Sequence, residues 1–426
     1  MGAALLFLSL VVLLALSVPV GVCLCLSSIL YLILEQGTPL VAAMQRVVVA
    51  SDSFSLLALP LFIISGNLMS AGGISRRLIN FVDALVGWIS GGLAIVTTVA
   101  CMFFGAISGS NTATTAAIGS IMIPGMKEKG YDLEFAAAVT ASAGVLGAII
   151  PPSLMMISYG TITGASISGL FMGGFLPGIL CGLSMILVSY FICRKHGYVS
   201  DRKFNAAFLG KSFTSAILAI LMPVIVLGGI YGGIFTPTEA AAVACVYCFI
   251  VATFIYKEIT IRDLPKILLD SIRTSSGIML LVCTASLFGW ALTVGKIPQM
   301  VADAIMGLTT NPILIMLLMN IVLLVVGCFL ESIAAIVIMT PVLYPIAAAI
   351  GMDPIHFGIM LCVNICIGTL TPPFGVCLFV ASGMTNLPIE KIAKKSLPFL
   401  AALIICLMLI TYIPQISMFL PNLLAR

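Results

Sequence analysis

The feature that most constrains this chain is a pair of adjacent prolines, Pro151 and Pro152, in the middle of an otherwise apolar segment of helical length. Proline has no backbone N–H and its ring clashes with the preceding turn, so a helix has to open here and leave carbonyl groups unpaired. In lipid, each unpaired group costs several kcal/mol unless protein or a polar cavity surrounds it. A second pair, Pro372 and Pro373, occurs later in the chain. Two broken helices are typical of membrane transporters.

Composition excludes a soluble protein. Hydrophobic residues make up 61% of the 426 residues and charged residues only 8%, whereas about a quarter of a soluble globular protein is charged. We therefore predict an all-α polytopic membrane protein in the lipid bilayer. The net charge of +4 is small and the bases are dispersed, so no binding to nucleic acid is expected. The thirteen cysteines lie mostly in apolar runs, which is typical of packing rather than of a metal or redox site.

The apolar runs predict the order of the membrane spans. Uninterrupted spans are expected at about 54–71, 168–193, 213–235, 239–257, 274–294 and 397–420. The first run, 3–34, is too long for one straight span, and Pro19 and Gly21 divide it into a kinked helix or two short spans. Amphipathic helices and a basic interfacial piece are predicted at 76–86, at 297–308 and around Lys391, Lys394 and Lys395.

Two polar runs, at 105–115 and 327–332, predict re-entrant hairpins whose tips lie at membrane depth, because glycine permits the turn and hydroxyl groups both donate and accept. Each hairpin is followed by a span that contains a proline pair, at 133–166 and 354–386. Equivalent residues of the two halves are 221 positions apart, namely Gly130, Asp132, Gly147, Pro151 and Pro152 against Gly351, Asp353, Gly368, Pro372 and Pro373. The chain is therefore an internal duplication.

The basic residues predict the orientation in the membrane. If the two long basic loops lie in the cytoplasm, all but three of the 19 lysines and arginines lie on that side. The exceptions are Arg46, Lys296 and Arg426. The first hairpin then enters from the cytoplasm and the second from outside. The two halves are therefore inverted, and their tips meet near the midplane of the bilayer.

The meeting point of the tips is the predicted site. An opened helix exposes carbonyl groups and the tips add hydroxyl groups, and these hard oxygen ligands suit Na⁺. We expect two or more Na⁺ sites, of which the first uses Ser108, Ser110, Asn111, Gly144 and Gly147. Its counterpart in the second half uses Gly327, Glu331, Gly368, Thr369 and Thr371.

An anionic solute is expected beside these cations, because the helix N-termini after Ser153 and Phe374 carry partial positive charge. The predicted solute contacts lie at the tips or directly after the first proline pair: Ser108, Asn111, Thr112, Ser153, Glu331 and Ser332. An acid at membrane depth is costly, so Glu331 is expected to contact the cation or the solute. Small and hydroxyl-bearing residues also serve helix packing. Asn364 is either a ligand or a helix contact, and His356 is expected in a surface or structural role rather than a proton relay.

A resemblance rests on two long motifs, FGAISGSNTATTAAIGSIMIPGMKEKGYDLEFAAAVTASAGVLGAIIPPS and TPVLYPIAAAIGMDPIHFGIMLCVNICIGTLTPPFGVCLFVASG. With them the chain resembles, over essentially its whole length, the large membrane subunit of tripartite ATP-independent periplasmic (TRAP) transporters. The resemblance implies an elevator-type secondary transporter of the ion transporter superfamily, similar in fold to the divalent-anion/Na⁺ symporters. It implies Na⁺-driven import of a carboxylated solute across the bacterial inner membrane, with roles for Ser108, Ser110, Ser153 and Glu331.

The resemblance also implies two partners, a small four-helix membrane subunit and a periplasmic substrate-binding protein. We expect the small subunit to be a separate chain. In an elevator, a mobile domain carries the solute past a scaffold. The prediction assigns 91–166 and 309–386 to the mobile domain. The scaffold and arm helices are assigned to 1–90, 167–308 and 387–426.

These residues do not specify the solute. The uncharged polar tip suits a polyhydroxylated acid, so sialic acid is the first prediction and a C4-dicarboxylate the second. An alternative function is a stand-alone Na⁺- or H⁺-coupled carboxylate symporter or antiporter, although an antiporter usually needs two core acids and only Glu331 is present. The sequence has no HExxH or GxSxG motif and no paired core aspartates, so we expect no enzyme.

Overall fold

The computed structural model describes residues 2–34, 37–198, 204–297, 299–300, 309 and 311–424, and in these ranges it contains helices and no β-strand. The helices as far as the middle of the chain are α1 Gly2–Ala15, α2 Val20–Leu34, α3 Leu40–Ser51, α4 Ala58–Ala71, α5 Ile74–Val86, α6 Gly92–Ser108, α7 Asn111–Glu128, α8 Leu133–Gly144, α9 Leu146–Ile149, α10 Leu154–Thr163 and α11 Ile167–His196. Those that follow are α12 Ala206–Tyr231, α13 Pro237–Ile250, α14 Leu264–Val294, α15 Pro312–Phe329, α16 Ser332–Ala349, α17 Pro354–Gly368, α18 Val376–Thr385, α19 Ile389–Tyr412 and α20 Gln415–Leu424. Short 3₁₀ and π segments lie at Phe54–Leu57 and Val251–Ile255.

The helices confirm a multi-pass membrane protein. Within the described ranges, nine helical stretches are long and apolar enough to cross a membrane. The first apolar run forms two separate helices, α1 and α2, which pack against each other. The short helix α3 was not predicted from the sequence.

Two predicted boundaries are wrong. Helix α14 begins at Leu264, ten residues before the predicted span, so Lys266 and Arg273 lie on a helix rather than in a loop. Helix α19 includes the predicted basic interfacial piece, and its lysines form ion pairs with the start of α8: Lys395 with Asp132 at 3.0 Å and Lys391 with Glu134 at 3.5 Å.

The end of the last predicted span also differs. Helix α19 ends at Tyr412, because Pro414 cannot continue the helical hydrogen bonds, and α20 follows as a separate helix. The second predicted amphipathic helix, 297–308, lies for the most part outside the described residues.

Both hairpins and both broken helices are confirmed. Helices α6 and α7 meet at a tight turn in which Gly109 has φ +62°, a left-handed conformation that favours glycine. Helices α15 and α16 meet at Leu330 and Glu331. The proline pairs interrupt α8–α10 and α17–α18, and each pair is joined by a cis peptide bond.

The packing of the hairpins demonstrates the internal two-fold relation. The inner helix of the first hairpin, α7, packs against α18, the second part of the other half's broken helix. Its equivalent, α16, packs against α10 in the same manner. Each half thus packs its inner hairpin helix against the broken helix of the other half. Such reciprocal contacts are expected for two halves related by a two-fold axis, so the duplicated sequence folds into two interlocked halves.

The helices form two groups. Helices α1–α4 pack mainly with α12–α14, and α5 packs with both α12 and α6, whereas the hairpins and broken helices pack mainly with one another and with α11, α19 and α20. The division into a scaffold and a mobile domain stays a prediction. However, this packing favours a boundary that differs from the predicted one, since α11, α19 and α20 lie with the hairpins.

Glycine permits the closest helix contact in each half. A methyl group on Gly105 would lie 2.6 Å from the Cα atom of Gly147, and one on Gly327 would lie 3.0 Å from the Cα atom of Gly368. These distances are shorter than van der Waals contact, so hairpin and broken helix touch through backbone atoms in both halves.

We predict that Gly105→Val and Gly327→Val each lower the free energy of unfolding by about 1 to 3 kcal/mol, because the added side chain meets backbone that has to shift. Gly125→Val on α7 is the matched control, since an added side chain there meets nothing within 4 Å. The measurement is the temperature at which heating abolishes the size-exclusion peak of the folded, solubilised protein. Equal temperatures for all three variants would contradict the prediction.

Candidate functional site

The first hairpin tip is a compact cluster of hydroxyl groups. Ser110 caps α7, and its side chain accepts a hydrogen bond from the backbone N–H of Ala113 at 3.4 Å. The hydroxyls of Ser108 and Thr114 are 2.9 Å apart, and Thr114 donates to the carbonyl of Ser110 at 2.7 Å. Thr114 was not predicted as a site residue, although it lies one helical turn after Ser110 in the same polar run.

The first tip lies directly against the first broken helix. The backbone N–H of Leu154 donates to the carbonyl of Gly109 at 3.2 Å. Methyl groups on Gly144 and Gly147 would overlap the hydroxyls of Thr115 and Thr114. The structure thus brings together the five residues predicted for the first cation site: Ser108, Ser110, Asn111, Gly144 and Gly147.

Ser153 is enclosed by the break in the helix. Its side chain is fully buried and donates to the carbonyl of Ala148 at 2.6 Å. The neighbouring N–H of Leu154, the first of the helix N-terminus after Ser153, is bonded to the carbonyl of Gly109 in this arrangement. The predicted contact between Ser153 and solute stays a prediction.

The second tip is capped by a carboxylate. Glu331 accepts hydrogen bonds from the backbone N–H groups of Ile333 at 3.0 Å and Ala334 at 3.3 Å, while the residue itself is exposed. It occupies the position that Ser110 occupies in the first half, 221 residues earlier. The carboxylate therefore stabilises the positive end of α16, and its exposure leaves it able to face a cation.

Asn111 joins the two halves. Its amide donates to the hydroxyl of Ser332 at 2.9 Å and to that of Thr369 at 3.0 Å, and its carbonyl oxygen accepts from the N–H of Thr112 at 2.9 Å. Asn111 and Ser332 are repeat equivalents, 221 residues apart, so their contact lies at the two-fold axis. The prediction that the tips meet is confirmed. Both N–H donors of the Asn111 amide are used within the protein, while its carbonyl oxygen keeps a second lone pair.

The residues predicted for the second cation site also lie close to one another. Gly327 and Gly368 are in contact. Thr369 accepts from Asn111 and donates to the carbonyl of Cys366 at 2.6 Å. Thr371 donates to the carbonyl of Ile367 at 3.0 Å, within the last turn of α17.

The two breaks differ in exposure. Pro151, Pro152 and Ser153 are buried, whereas their counterparts Pro372, Pro373 and Phe374 are exposed. Phe374 lies beside Phe329 and Phe379, with ring centroids 5.6 Å and 6.5 Å away. The second break is therefore the more accessible one, although both halves contain the same pair of prolines.

Two polar residues that the sequence left open are helix contacts. Asn364 donates to the side chain of Asn320 at 2.7 Å, and its own carbonyl oxygen is buried with no partner among the described residues. His356 is buried and lies 2.6 Å from the hydroxyl of Ser417 and 3.1 Å from the carbonyl of Thr411. A structural role for His356 fits these contacts, and a surface position does not.

The ligands available at the tips are neutral oxygen atoms with a single carboxylate. In the described part of the chain, no three residues among His, Cys, Asp and Glu form a group that would hold a metal ion. The chemistry of this donor set fits a singly charged cation such as Na⁺, bound through hydroxyl and carbonyl oxygens.

Comparisons with known proteins agree with this architecture. The family described as tripartite ATP-independent periplasmic transporter, DctM component, matches residues 7–416. The chain is 44% identical over 407 residues to the isethionate TRAP transporter permease protein DctMQ of Oleidesulfovibrio alaskensis, which covers 95% of this chain and 64% of that protein. It thus spans less than two thirds of that relative.

Two further relatives match over nearly their whole length. The sialic acid TRAP transporter large permease protein SiaM of Vibrio cholerae is 38% identical over 405 residues, 95% of each chain. The C4-dicarboxylate TRAP transporter large permease protein DctM of the same organism is 40% identical over 445 residues, covering 100% of this chain and 98% of that one. In fold, the chain is similar to the YdaH transporter of Alcanivorax borkumensis, with a TM-score of 0.58, 14% identity and 85% of each chain covered.

We predict that Asn111→Leu lowers transport at least tenfold without preventing membrane insertion. It leaves the hydroxyls of Ser332 and Thr369 without their donor at the two-fold axis, and each lost buried hydrogen bond costs about 1 to 3 kcal/mol. Ser120→Val is the control, because Ser120 is exposed and its hydroxyl donates to the carbonyl of Ala117 on the same helix. Solute uptake per amount of membrane-inserted protein is the measurement, and activity above half of the unmodified level would contradict the prediction.

Proposed function

The chain belongs to the DctM component family of tripartite ATP-independent periplasmic transporters, and on that premise we propose that it is the large membrane subunit of a Na⁺-driven importer of an organic anion. It is a multi-pass membrane permease and not an enzyme. The contact of Asn111 with Ser332 and Thr369 carries the proposal, since it joins two hairpin tips and one broken helix at a single point.

Coupling to Na⁺ is supported by the donor set at the tips. Two or more cations would neutralise an anionic solute, which the tips themselves cannot do because they carry no lysine or arginine. The first cation would lie near Ser108 and Ser110, and the second near Glu331 and Thr371. Of these ligands, only Glu331 carries charge.

The solute class is wider than the sequence predicted. The relatives are named for isethionate, sialic acid and C4-dicarboxylates, and their similar identities do not select one of them. Isethionate is a sulfonate, so the shared chemistry is a small hydrophilic anion rather than a carboxylate alone. Sialic acid stays the first candidate, because the tip at 108–115 is polar and uncharged.

We propose the inner membrane as the location and two partners, a small four-helix membrane subunit and a periplasmic binding protein. The family description supports them through the words tripartite and periplasmic. Delivery by a binding protein fits a membrane site that offers few specific contacts.

An elevator movement is supported by the unequal exposure of equivalent helices. Ala113 and Ala116 on α7 are exposed, whereas their repeat equivalents on α16, Ala334 and Val337, are buried. Helix α16 packs against α14. With the orientation that the basic residues predict, the uncovered side faces the cytoplasm, so this arrangement is the cytoplasm-open one.

The repeat also supplies the contacts of the opposite state. In this part of the repeat the offset is 223 residues, which pairs Gly66 with Gly289 and Ile74 with Ile297. A Cβ atom on Gly66 would lie 3.4 Å from the Cα atom of Ser108 at the first tip, whereas one on Gly289 would lie 3.5 Å from the Cβ atom of Pro341, far from the second tip. If the halves exchange their conformations, Gly289 meets Phe329, the repeat equivalent of Ser108 at the second tip. Pro341 lies nine residues along α16 from Ser332, the first helical residue after that tip, which corresponds to a movement of about 14 Å.

The body that moves would include more than the hairpins and broken helices. Helices α11 and α19 pack along α6, α8 and α17, and the ion pairs of Lys391 and Lys395 attach α19 to α8. A movement that left α11 and α19 behind would break these contacts. We therefore place α6–α11 and α15–α20 in the mobile domain.

Transport by liposomes tests the function. We expect that this chain with its small subunit takes up a radiolabelled anion from a panel of sialic acid, C4-dicarboxylates and isethionate only with the binding protein and an inward Na⁺ gradient, because the cations neutralise the solute. The control is an equal K⁺ gradient. Uptake without the binding protein, or with a proton gradient alone, would instead support the stand-alone symporter.

Disulfide trapping tests the movement. We predict that Gly289→Cys forms a disulfide both with Pro341→Cys, as in this structure, and with Phe329→Cys, in the opposite state, and that each bond stops uptake reversibly. The separation of Gly289 and Pro341 already suits a disulfide. Gly277→Cys with Phe329→Cys is the control, and mass spectrometry identifies the linked peptides. A bond to Pro341 alone would reject a movement of this size.

A further inference from the structure

A cavity of about 530 Å³ lies between the two groups of helices, away from the tips. Its walls come from α14 on one side and α16 on the other, with contributions from the ends of α3 and α10. Its nearest residue on α16, Thr340, is eight residues beyond Ser332, which is about 12 Å along the helix. Within the described chain, none of the predicted cation or solute contacts lines it.

The cavity wall contains polar groups that lack their usual partners. Thr340 is fully buried, and its hydroxyl has no hydrogen-bond partner within the described ranges, whereas a helical threonine normally bonds to a carbonyl of the preceding turn. Pro341 and Pro345 supply no N–H group to the carbonyls one turn before them. Ser286 on α14 faces the same space. A ligand that donates hydrogen bonds would satisfy these acceptors.

The cavity does not suit the transported anion. Among the described residues that line it there is no Asp, Glu, Lys or Arg, and apolar side chains such as Val282, Tyr344 and Ile162 form much of the wall. A carboxylate placed there would lose its hydration without gaining a counter-charge. The volume falls within the range of ordinary small-molecule sites, which are mostly apolar with a few convergent polar groups.

We propose that this cavity binds an uncharged amphiphile with a hydroxyl donor, and that the occupant holds the transporter in the cytoplasm-open state. The binding rests only on the cavity, whereas its effect on transport rests on the proposed movement. In that movement, the second tip slides along α14 toward Gly289, on the cavity wall. A molecule between α14 and Thr340 stands in its path.

Photolabelling tests the site without transport. The probe is 3-azioctanol, a neutral alcohol with a photoreactive diazirine, applied to the full chain purified with its small subunit. We expect adducts within 282–293 or 340–345, and we expect Gly289→Leu, which fills the cavity, to lower them at least fivefold. Gly277→Leu on the same helix is the control, because its surroundings are open. A diazirine-bearing octanoate, which is charged, is expected to leave these segments unlabelled.

Two further variants keep the test decisive. Ser286→Met fills the cavity from a second position, in case Gly289→Leu does not fold, and Thr340→Val removes the unpaired hydroxyl with little change of shape. We expect Thr340→Val to lower labelling at least threefold and to make uptake correspondingly less sensitive to octanol. Labelling that persists in all filled variants, or equal labelling by the octanoate, overturns the site. Labelling without any effect of octanol on uptake overturns the locking role and leaves the Na⁺-driven function untouched.

Discussion

The whole arrangement depends on how the backbone groups opened by the two proline pairs find hydrogen-bond partners within the protein. In the first half, Ser153 covers the carbonyl of Ala148, and the hairpin tip supplies the carbonyl of Gly109 to the N–H of Leu154. In the second half, the N–H of Cys377 returns to the carbonyl of Thr369. Each break is thus stabilised by hydrogen bonds within the protein, and those same contacts assemble oxygen ligands where the two hairpin tips meet.

The two halves of the duplicated chain contain the same hairpin and broken helix, but these lie in different environments. The tips are capped at equivalent positions, by the hydroxyl of Ser110 in one half and by the carboxylate of Glu331 in the other. The first break is buried and the second is exposed, because the surrounding helices cover the halves unequally. Such asymmetry between equivalent parts fits the proposed movement, in which the two halves would exchange their environments.

Local sequence patterns predicted the hairpins, the broken helices and the duplication well. They failed at the start of α14 and across α19, where charged residues continue a helix beyond the apolar core of the span. Hydropathy predicts only the apolar part of a span. A helix can continue beyond that part where its charged side chains reach water or form an ion pair, as Lys395 does with Asp132. The solute was also beyond local patterns, because apart from Glu331 the predicted contacts at the tips are small and neutral.

The sequence by itself determined the membrane class, the two interrupted helices and the constant separation of equivalent residues, because apolar length and proline geometry act locally. Only the tertiary structure decided that Asn111 joins Ser332 and Thr369, that the first break is buried while the second is open, and that α11 and α19 pack with the hairpins. These outcomes join residues hundreds of positions apart. They depend on how all the helices pack at once, and no local pattern encodes that.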